Sequence, residues 1–510
     1  MGAMNDNLYA LLRSRFAERP DRACLITAER SRSYGDIDRM SAGFAGTLKA
    51  AGVAPGDRVV VQVDKSPHAV ALYLACLRSG AAFVPLNTAY TPAEVRYFLS
   101  DAEPRLFICR PEDAGARASA AREAGALVLT LGANGDGTLP ESAKAAAPDE
   151  TIVENDADDL AAILYTSGTT GRSKGAMLSH GNLTSNALTL FAYWGWRPDD
   201  VLLHALPIFH VHGLFVALHT AMLGASPMLF LPKFDIAAVR AALPRATVMM
   251  GVPTFYTRLL AEPDFNAAEC AHMRLFISGS APLTASAHRE FVERAGHAIL
   301  ERYGMSEAGM IASNPLDGER VAGTVGYPLP GISVRVRDEN GRVVSDAVGM
   351  IEVKGSNVFG GYWRMPEKTA AEFTEDEFFI TGDLGVQGPD GRLTIVGRGK
   401  DMIISGGYNI YPKEIEAVLD AIDGIAESAV IGVPHPDFGE GVVAVVVTAT
   451  GAPPEEAAVR AALGRALARF KHPKAIFAVK DLPRNTMGKV QKNLLREAYK
   501  DAYARARMGT

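Results

Sequence analysis

The sequence is poor in cysteine. Four occur in 510 residues, Cys24, Cys76, Cys109 and Cys270, all far apart. None forms a C-x-x-C pair, so neither a zinc site nor a disulfide framework is expected, and a reducing compartment fits. Long apolar runs are lacking too, so no membrane insertion is expected. The N-terminus shows no basic segment followed by an apolar one; no secretory leader is expected, and the location reads as cytoplasmic. Excess positive charge is also missing. The net charge is -6 and no long basic stripe appears, which argues against nucleic acid as a partner. No low-complexity tract stands out.

What is present is ordinary core material: 48% of residues are hydrophobic and 22% charged. That composition and length suit several packed domains. Through the middle of the chain apolar runs alternate with helix-like patterns. "DLAAILYT", "VLLHALPI", "SPMLFLP", "ATVMMGVP" and "MRLFISGS" read as strands. "GLFVALHTAML", "DIAAVRAAL", "TFYTRLLAE" and "ASAHREFVERA" read as the helices between them. Such alternation predicts a mostly parallel sheet with helices on its faces. "RVVVQVD", "HAVALYLACLRSG" and "AAFVPLN" repeat the style earlier, which predicts a second layer of the same kind. "GANGDGTLPESAKAAAPDE" reads as a surface loop.

After about Pro328 the texture changes. Short alternating strands flank Asn340-Gly341, a hairpin signal. "GRGKDMIISGG" follows, with glycines on both sides of a charged segment, and reads as a hinge. The rest reads as a small α+β domain. The expected architecture is α/β: a large N-terminal domain, residues 1–399, of two helix-flanked sheet subdomains plus a small β-rich subdomain. A mobile α+β domain, residues 400–510, completes it.

One loop stands out chemically, "YTSGTTGRSKG", from Tyr165 to Gly175. A Walker A loop would need glycine before its lysine and a magnesium-binding hydroxyl after it. Here Ser173 precedes Lys174 and Gly175 follows it, so this is not that loop. It still has the means to hold phosphate. Gly168 and Gly171 let backbone amides turn toward an anion. Ser167, Thr169 and Thr170 add donors, and Lys174 adds charge.

"YTSGTTGRSKG" resembles the phosphate-loop signature of the adenylate-forming enzymes: acyl-CoA synthetases, luciferases and adenylation domains. Further motifs follow in that family's order: "RYGMSE", "FFITGD", "GRGKDMIISGGYNIYPKEIE" and "LPRNTMGKVQK". The likeness runs from about Leu25 to Leu495. It implies a reaction in two halves. A carboxylate attacks the α-phosphate of ATP, giving an acyl-adenylate and pyrophosphate; a thiol, here coenzyme A, then displaces AMP. Fixed positive groups and positioning do most of such work.

The resemblance also implies roles. Lys489 reaches from the small domain to the phosphate and acid oxygens. Lys492 beside it reads as a solvated surface lysine. Glu307 holds Mg²⁺, a hard cation that prefers oxygen, and Thr166 or Thr169 assists. Thr166, Ser167, Gly168, Thr169, Thr170, Gly171 and Lys174 receive the phosphates of ATP. Arg302, Tyr303, Gly304, Met305 and Ser306 form the nucleotide motif, with Tyr303 over a face of adenine. Gly279, Ser280 and Ala281 line the adenine and acyl pocket. Asp383 accepts from both ribose hydroxyls, and Arg398 bonds ribose or phosphate. Lys400 is the hinge residue, because two half-reactions need two domain arrangements. Gly406 and Gly407 approach the pantetheine arm of CoA.

The acid is read from the pocket. His210 stands at its mouth. A dicarboxylate needs a second cation, and Arg289, in "TASAHREFVERA", is the expected clamp, with His210 and Ser280 assisting. Arg258 is the rival, read as packing or helix surface. Several stretches, "HALPIFHVHGLFVA" and "VPHPDFGEGV" among them, resemble the malonyl-CoA synthetase branch of the family. That branch implies malonate, with methylmalonate as a second substrate, since one extra methyl is weakly discriminated. Ala308 departs from the family's usual threonine. The alternatives are a short, medium or branched acid, or a stand-alone enzyme loading a carrier protein. Acetylating Lys489 would remove its charge and block adenylation, so a lysine acetyltransferase is an expected partner.

Overall fold

The computed structural model describes residues 5–166, 173–405, 408–436, 438–448, 452, 454–485 and 488–503. Two layered α/β units come first. In a six-stranded sheet the strands Leu127–Thr130, Leu106–Cys109, Arg58–Gln62, Ala82–Pro85 and Leu160–Thr166 run parallel. Lys174–Ser179 closes that edge antiparallel, with Thr166 opposite Lys174. These two strands flank the phosphate loop, whose residues Ser167, Gly168, Thr169, Thr170 and Gly171 lie outside the described residues.

The second sheet has nine strands. Its centre is parallel and holds Leu202–His204, Met228–Phe230, Val248–Gly251, Leu275–Ser278 and Leu300–Met305. Leu202–His204, Met228–Phe230, Val248–Gly251 and Leu275–Ser278 are apolar runs read from sequence, and the fifth such run, Leu160–Thr166, joins the six-stranded sheet instead; strands covered on both faces carry little polar alternation. Helix Pro67–Arg78 is buried from Ala69 through Arg78. A helix apolar all round belongs between layers; each of its leucines contributes about 2 kcal/mol by leaving water. The stretch read as one helix after His210 is a π-helix, His212–Leu218, running into an α-helix, His219–Leu223, and all of it is buried. Within the supposed surface loop lies a helix, Thr138–Ala145, anchored by buried Leu139.

A five-stranded antiparallel sheet follows, between Ser333 and Arg398. Its hairpin turns at Gly341, whose φ of 77° suits glycine. A short turn, Gly399–Asp401, leads to a last sheet. Strands Ile425–His435 and Gly439–Thr448 are its centre, and helices Pro412–Leu419, Glu456–Ala466 and Lys492–Tyr499 cover it. It has its own apolar cores, around Val430 and Ile431. This small unit docks on the large one: a Cβ at Gly488 would lie 3.1 Å from Thr254 Oγ1, on helix Pro253–Leu260. Among the described residues no helix is long and apolar enough to cross a membrane, and all four cysteines are free and buried.

Candidate active site

The cleft opens where the strands of the nine-stranded sheet end. Ligand clefts in parallel sheets lie at the carboxyl ends of strands. Strand Leu275–Ser278 delivers Gly279, Ser280 and Ala281. Strand Leu300–Met305 carries Arg302, Tyr303, Gly304 and Met305, then turns through Ser306 into Glu307. His210 lies between strand Leu202–His204 and the π-helix.

The ribose end is built by register. Asp383 sits directly across an antiparallel pair from Arg398. Asp383 Oδ1 is 2.8 Å from Arg398 Nε. Asp383 Oδ2 accepts the Tyr303 hydroxyl at 2.6 Å. The carboxylate is 6% exposed and thus already held in place by two donors. Tyr303 is buried and tied through its hydroxyl.

The phosphate end is a network around Glu307. Its Oε1 is 3.5 Å from Thr166 Oγ1 and 3.3 Å from the Tyr362 hydroxyl. The same hydroxyl donates to Glu372 Oε2 at 2.6 Å. Lys174 Nζ bonds Glu372 Oε1 at 3.0 Å and lies 4.0 Å from the centre of the Tyr362 ring. Burial raises the Glu307 carboxyl above the ordinary range. Tyr362 and Glu372 carry no sequence signal; they meet Glu307 and Lys174 from 55 and 198 residues away.

At the acid end the surprise is Arg302. It is 4% exposed, and among the described residues its Nε and Nη2 have no partner. Burial pushes it down to about 9. The guanidinium lies against Gly279, where a Cβ would come within 2.4 Å of Cζ. Only glycine leaves that space. His210 Nδ1 accepts the His212 amide at 3.2 Å, so its proton belongs on Nε2. Enclosure, then the charges of Lys489 and Arg302, hold His210 neutral, down at about 3. His212 is neutral as well: burial, then Arg302, keeps it well below the usual value. Ser280 Oγ is 3.3 Å from His212 Nδ1, and Ser280 takes φ of 71°, a strained value for serine. A separate small cavity lined by Leu178, Asn186, Val211, Phe215, Gly309 and Asn357 holds only about 10 Å³. That is room for a water and not for an alkyl chain.

Lys489 enters the same cleft. It keeps access to solvent along the opening. Lost hydration inside the cleft, then the Arg398 charge, push its ammonium below the ordinary lysine range; Asp383 and Glu307 oppose, and Arg302 adds to the fall. Lys489, Arg302, Arg398, Asp383, Glu307 and His210 are thus one electrostatic unit.

Arg289 is not part of that unit. It is exposed on helix Ala285–Ala295, whose buried face is Ala287, His288, Phe291 and Ala295. Arg258 is exposed beside the Phe234 ring, as expected for a surface residue. Lys400 is exposed on the turn Gly399–Asp401, and Asp401 pairs with Arg496 at 2.5 Å. Lys492 corrects its reading: it pairs with Glu416 at 2.6 Å and is 18% exposed. Ala308 is fully buried, and its carbonyl accepts Asn357 Nδ2 at 2.5 Å. Gly406 and Gly407 lie outside the described residues.

Residues 12–363 match the AMP-binding enzyme family, and residues 414–489 match the AMP-binding enzyme C-terminal domain. The crystal structure of ATP-bound MatB from Rhodopseudomonas palustris is 55% identical, with a TM-score of 0.95. That alignment covers 98% of this chain and all of that one. A sulfoacetate–CoA ligase of Cupriavidus necator is 35% identical, across 96% of this chain and 97% of its own. A malonate–CoA ligase of Arabidopsis thaliana is 33% identical, across 97% and 90%.

Proposed function

The chain belongs to the AMP-binding enzymes, and from that premise we propose that it ligates malonate to coenzyme A, converting ATP to AMP and pyrophosphate. The observation that carries the acid is Arg302. A buried guanidinium with no carboxylate partner is costly, and an acid with a second negative group removes that cost. Malonate supplies such a group on a short chain. Sulfoacetate, named for one relative, likewise carries a second anionic group. Arg302 thus takes the part expected of Arg289 and serves the acid rather than the nucleotide.

In the first half-reaction the near carboxylate of malonate attacks the α-phosphorus and pyrophosphate departs. Lys489 and Arg398 offset the charge that gathers on the phosphoryl oxygens. Asp383 receives the ribose hydroxyls, and Lys174 turns from Glu372 to the outgoing phosphates. Neutral His210 donates from Nε2 to the acid without adding charge. Glu307, with the Thr166 hydroxyl beside it, would hold a magnesium ion, which would neutralise phosphate charge. In the second half-reaction the CoA thiol attacks the acyl carbonyl and AMP leaves, after the small domain has turned about Lys400 and brought Gly406 and Gly407 toward the pantetheine arm. Methylmalonate is the second substrate, and the cytoplasm the site of action. The test is CoA-dependent AMP formation across malonate, methylmalonate, acetate, butyrate, octanoate and benzoate. Preference for malonate is expected; preference for a monocarboxylate would overturn the assignment of the acid.

A further inference from the structure

The turn that carries Lys489 is tied to carboxylates of its own domain on both sides. Arg484, where the turn begins, forms an ion pair with Glu427 on strand Ile425–His435. Arg484 Nη1 also donates to the Gly488 carbonyl at 2.7 Å. Past Lys489, Lys492 places Nζ 2.6 Å from Glu416 Oε1, on helix Pro412–Leu419. That oxygen also accepts the Val430 amide at 2.9 Å, which stops the carboxylate from swinging away. Between these arms the turn closes on itself. The Asn485 amide donates to the Lys489 carbonyl, and the Lys489 amide donates to Asn485 Oδ1, both at 3.0 Å.

We infer that Glu427 and Glu416 are positioning residues for the adenylation step, acting through Arg484 and Lys492 to preset Lys489. The inference rests on the proposed two-step reaction. A lysine side chain has a flexible stem and little rigidity of its own, so its reach is set by where its backbone is held. Glu416 and Lys492 are 10% and 18% exposed, and solvent screens their attraction little. All four residues belong to the small domain. The brace therefore travels with Lys489 whichever face that domain presents, and its loss falls on the half-reaction that uses Lys489. A contribution to folding alone would weaken both halves together.

The test uses the full chain with Glu427→Gln and, separately, Lys492→Met. Adenylation is read as malonate-dependent ATP–pyrophosphate exchange, and thioester formation as CoA consumption with supplied malonyl-adenylate. Exchange is expected to fall about tenfold to a hundredfold in kcat, as for a displaced catalytic group, with KM for ATP and malonate nearly unchanged. Thioester formation is expected to stay within about twofold of the unaltered protein. Exchanging the pair, Glu427→Arg with Arg484→Glu, restores exchange. Equal losses in both halves, or no loss of exchange, overturn the inference. Should Glu427→Gln fail to fold, Lys492→Met decides alone. Failure of the unaltered protein in both assays would reject the two-step reaction instead, so the two failures are distinguishable.

Discussion

Arg302→Met isolates the charge on which the proposed choice of acid rests. In the free protein Arg302 is buried, and its Nε and Nη2 are unpartnered. Its fall to about 9 represents roughly 5 kcal/mol of unfavourable burial, at about 1.4 kcal/mol per tenfold change in proton affinity. A dicarboxylate relieves that cost when it binds. Without Arg302, its far carboxylate would sit desolvated and unpaired, a loss of about 3–5 kcal/mol. That corresponds to about two to nearly four decades in kcat/KM. Methionine fills the volume with an unbranched apolar chain. The assay is CoA-dependent AMP formation with malonate, methylmalonate, acetate and butyrate, for the unaltered protein, Arg302→Met and Arg289→Ala. Malonate and methylmalonate should collapse in Arg302→Met, while acetate and butyrate hold or rise. Arg289→Ala should leave malonate within about twofold, as for a solvated charge. The midpoint of thermal unfolding should hold or rise in Arg302→Met, because an uncompensated charge has left the interior. Malonate turnover within about tenfold of the unaltered protein would refute the reasoning. So would an equal fall for every acid, which would place Arg302 on the nucleotide.

Two further outcomes follow from the same geometry. Gly279→Ala drives a methyl group into the Arg302 guanidinium, and should raise KM for malonate about tenfold or more while sparing acetate. Lys489 must be charged to assist, and the empty cleft holds its pKa below the ordinary value; kcat/KM for adenylation, which reports the free protein, should therefore fall as pH rises through that lowered value, a limb that Lys489→Arg moves out of range. A limb at or above the ordinary lysine value would count against this role.

The sheets were legible because buried parallel strands write themselves as unbroken apolar runs. The motif residues were legible because each lies beside its signature. What stayed hidden was tertiary. Arg302 reads as part of a nucleotide motif, and only the packing of its side chain under Gly279 suggests the acid role proposed for it. Arg289 reads as a clamp because its helix follows Ser280, yet the helix buries other positions. Lys492 reads as solvated, since its partner Glu416 is 76 residues away. The helix Thr138–Ala145 reads as loop because one leucine is its only fully buried residue. The π-helix at His212 reads as an α-helix because the apolar pattern alone does not separate the two.

The charges of the cleft also bear on the order of events. Docking the small domain strips water from the Lys489 ammonium and brings it toward Arg398 and Arg302, which disfavour it, and toward Asp383 and Glu307, which favour it. With the site empty, lost hydration opposes that approach. ATP and a dianionic acid reverse the sign, so substrates should favour the docked arrangement by their charge. Once pyrophosphate has left, most of that negative charge is gone and Lys489 loses its reason to stay. In the proposed reaction the small domain would then turn about Lys400 and admit the thiol. The expected result is that ATP with malonate shifts the protein toward the docked form in small-angle scattering, and that AMP alone does not. The shift with substrates should weaken in Lys489→Ala. Docking that is indifferent to substrate charge, or unchanged in Lys489→Ala, would mean that apolar contact such as Gly488 against Thr254 governs the motion instead.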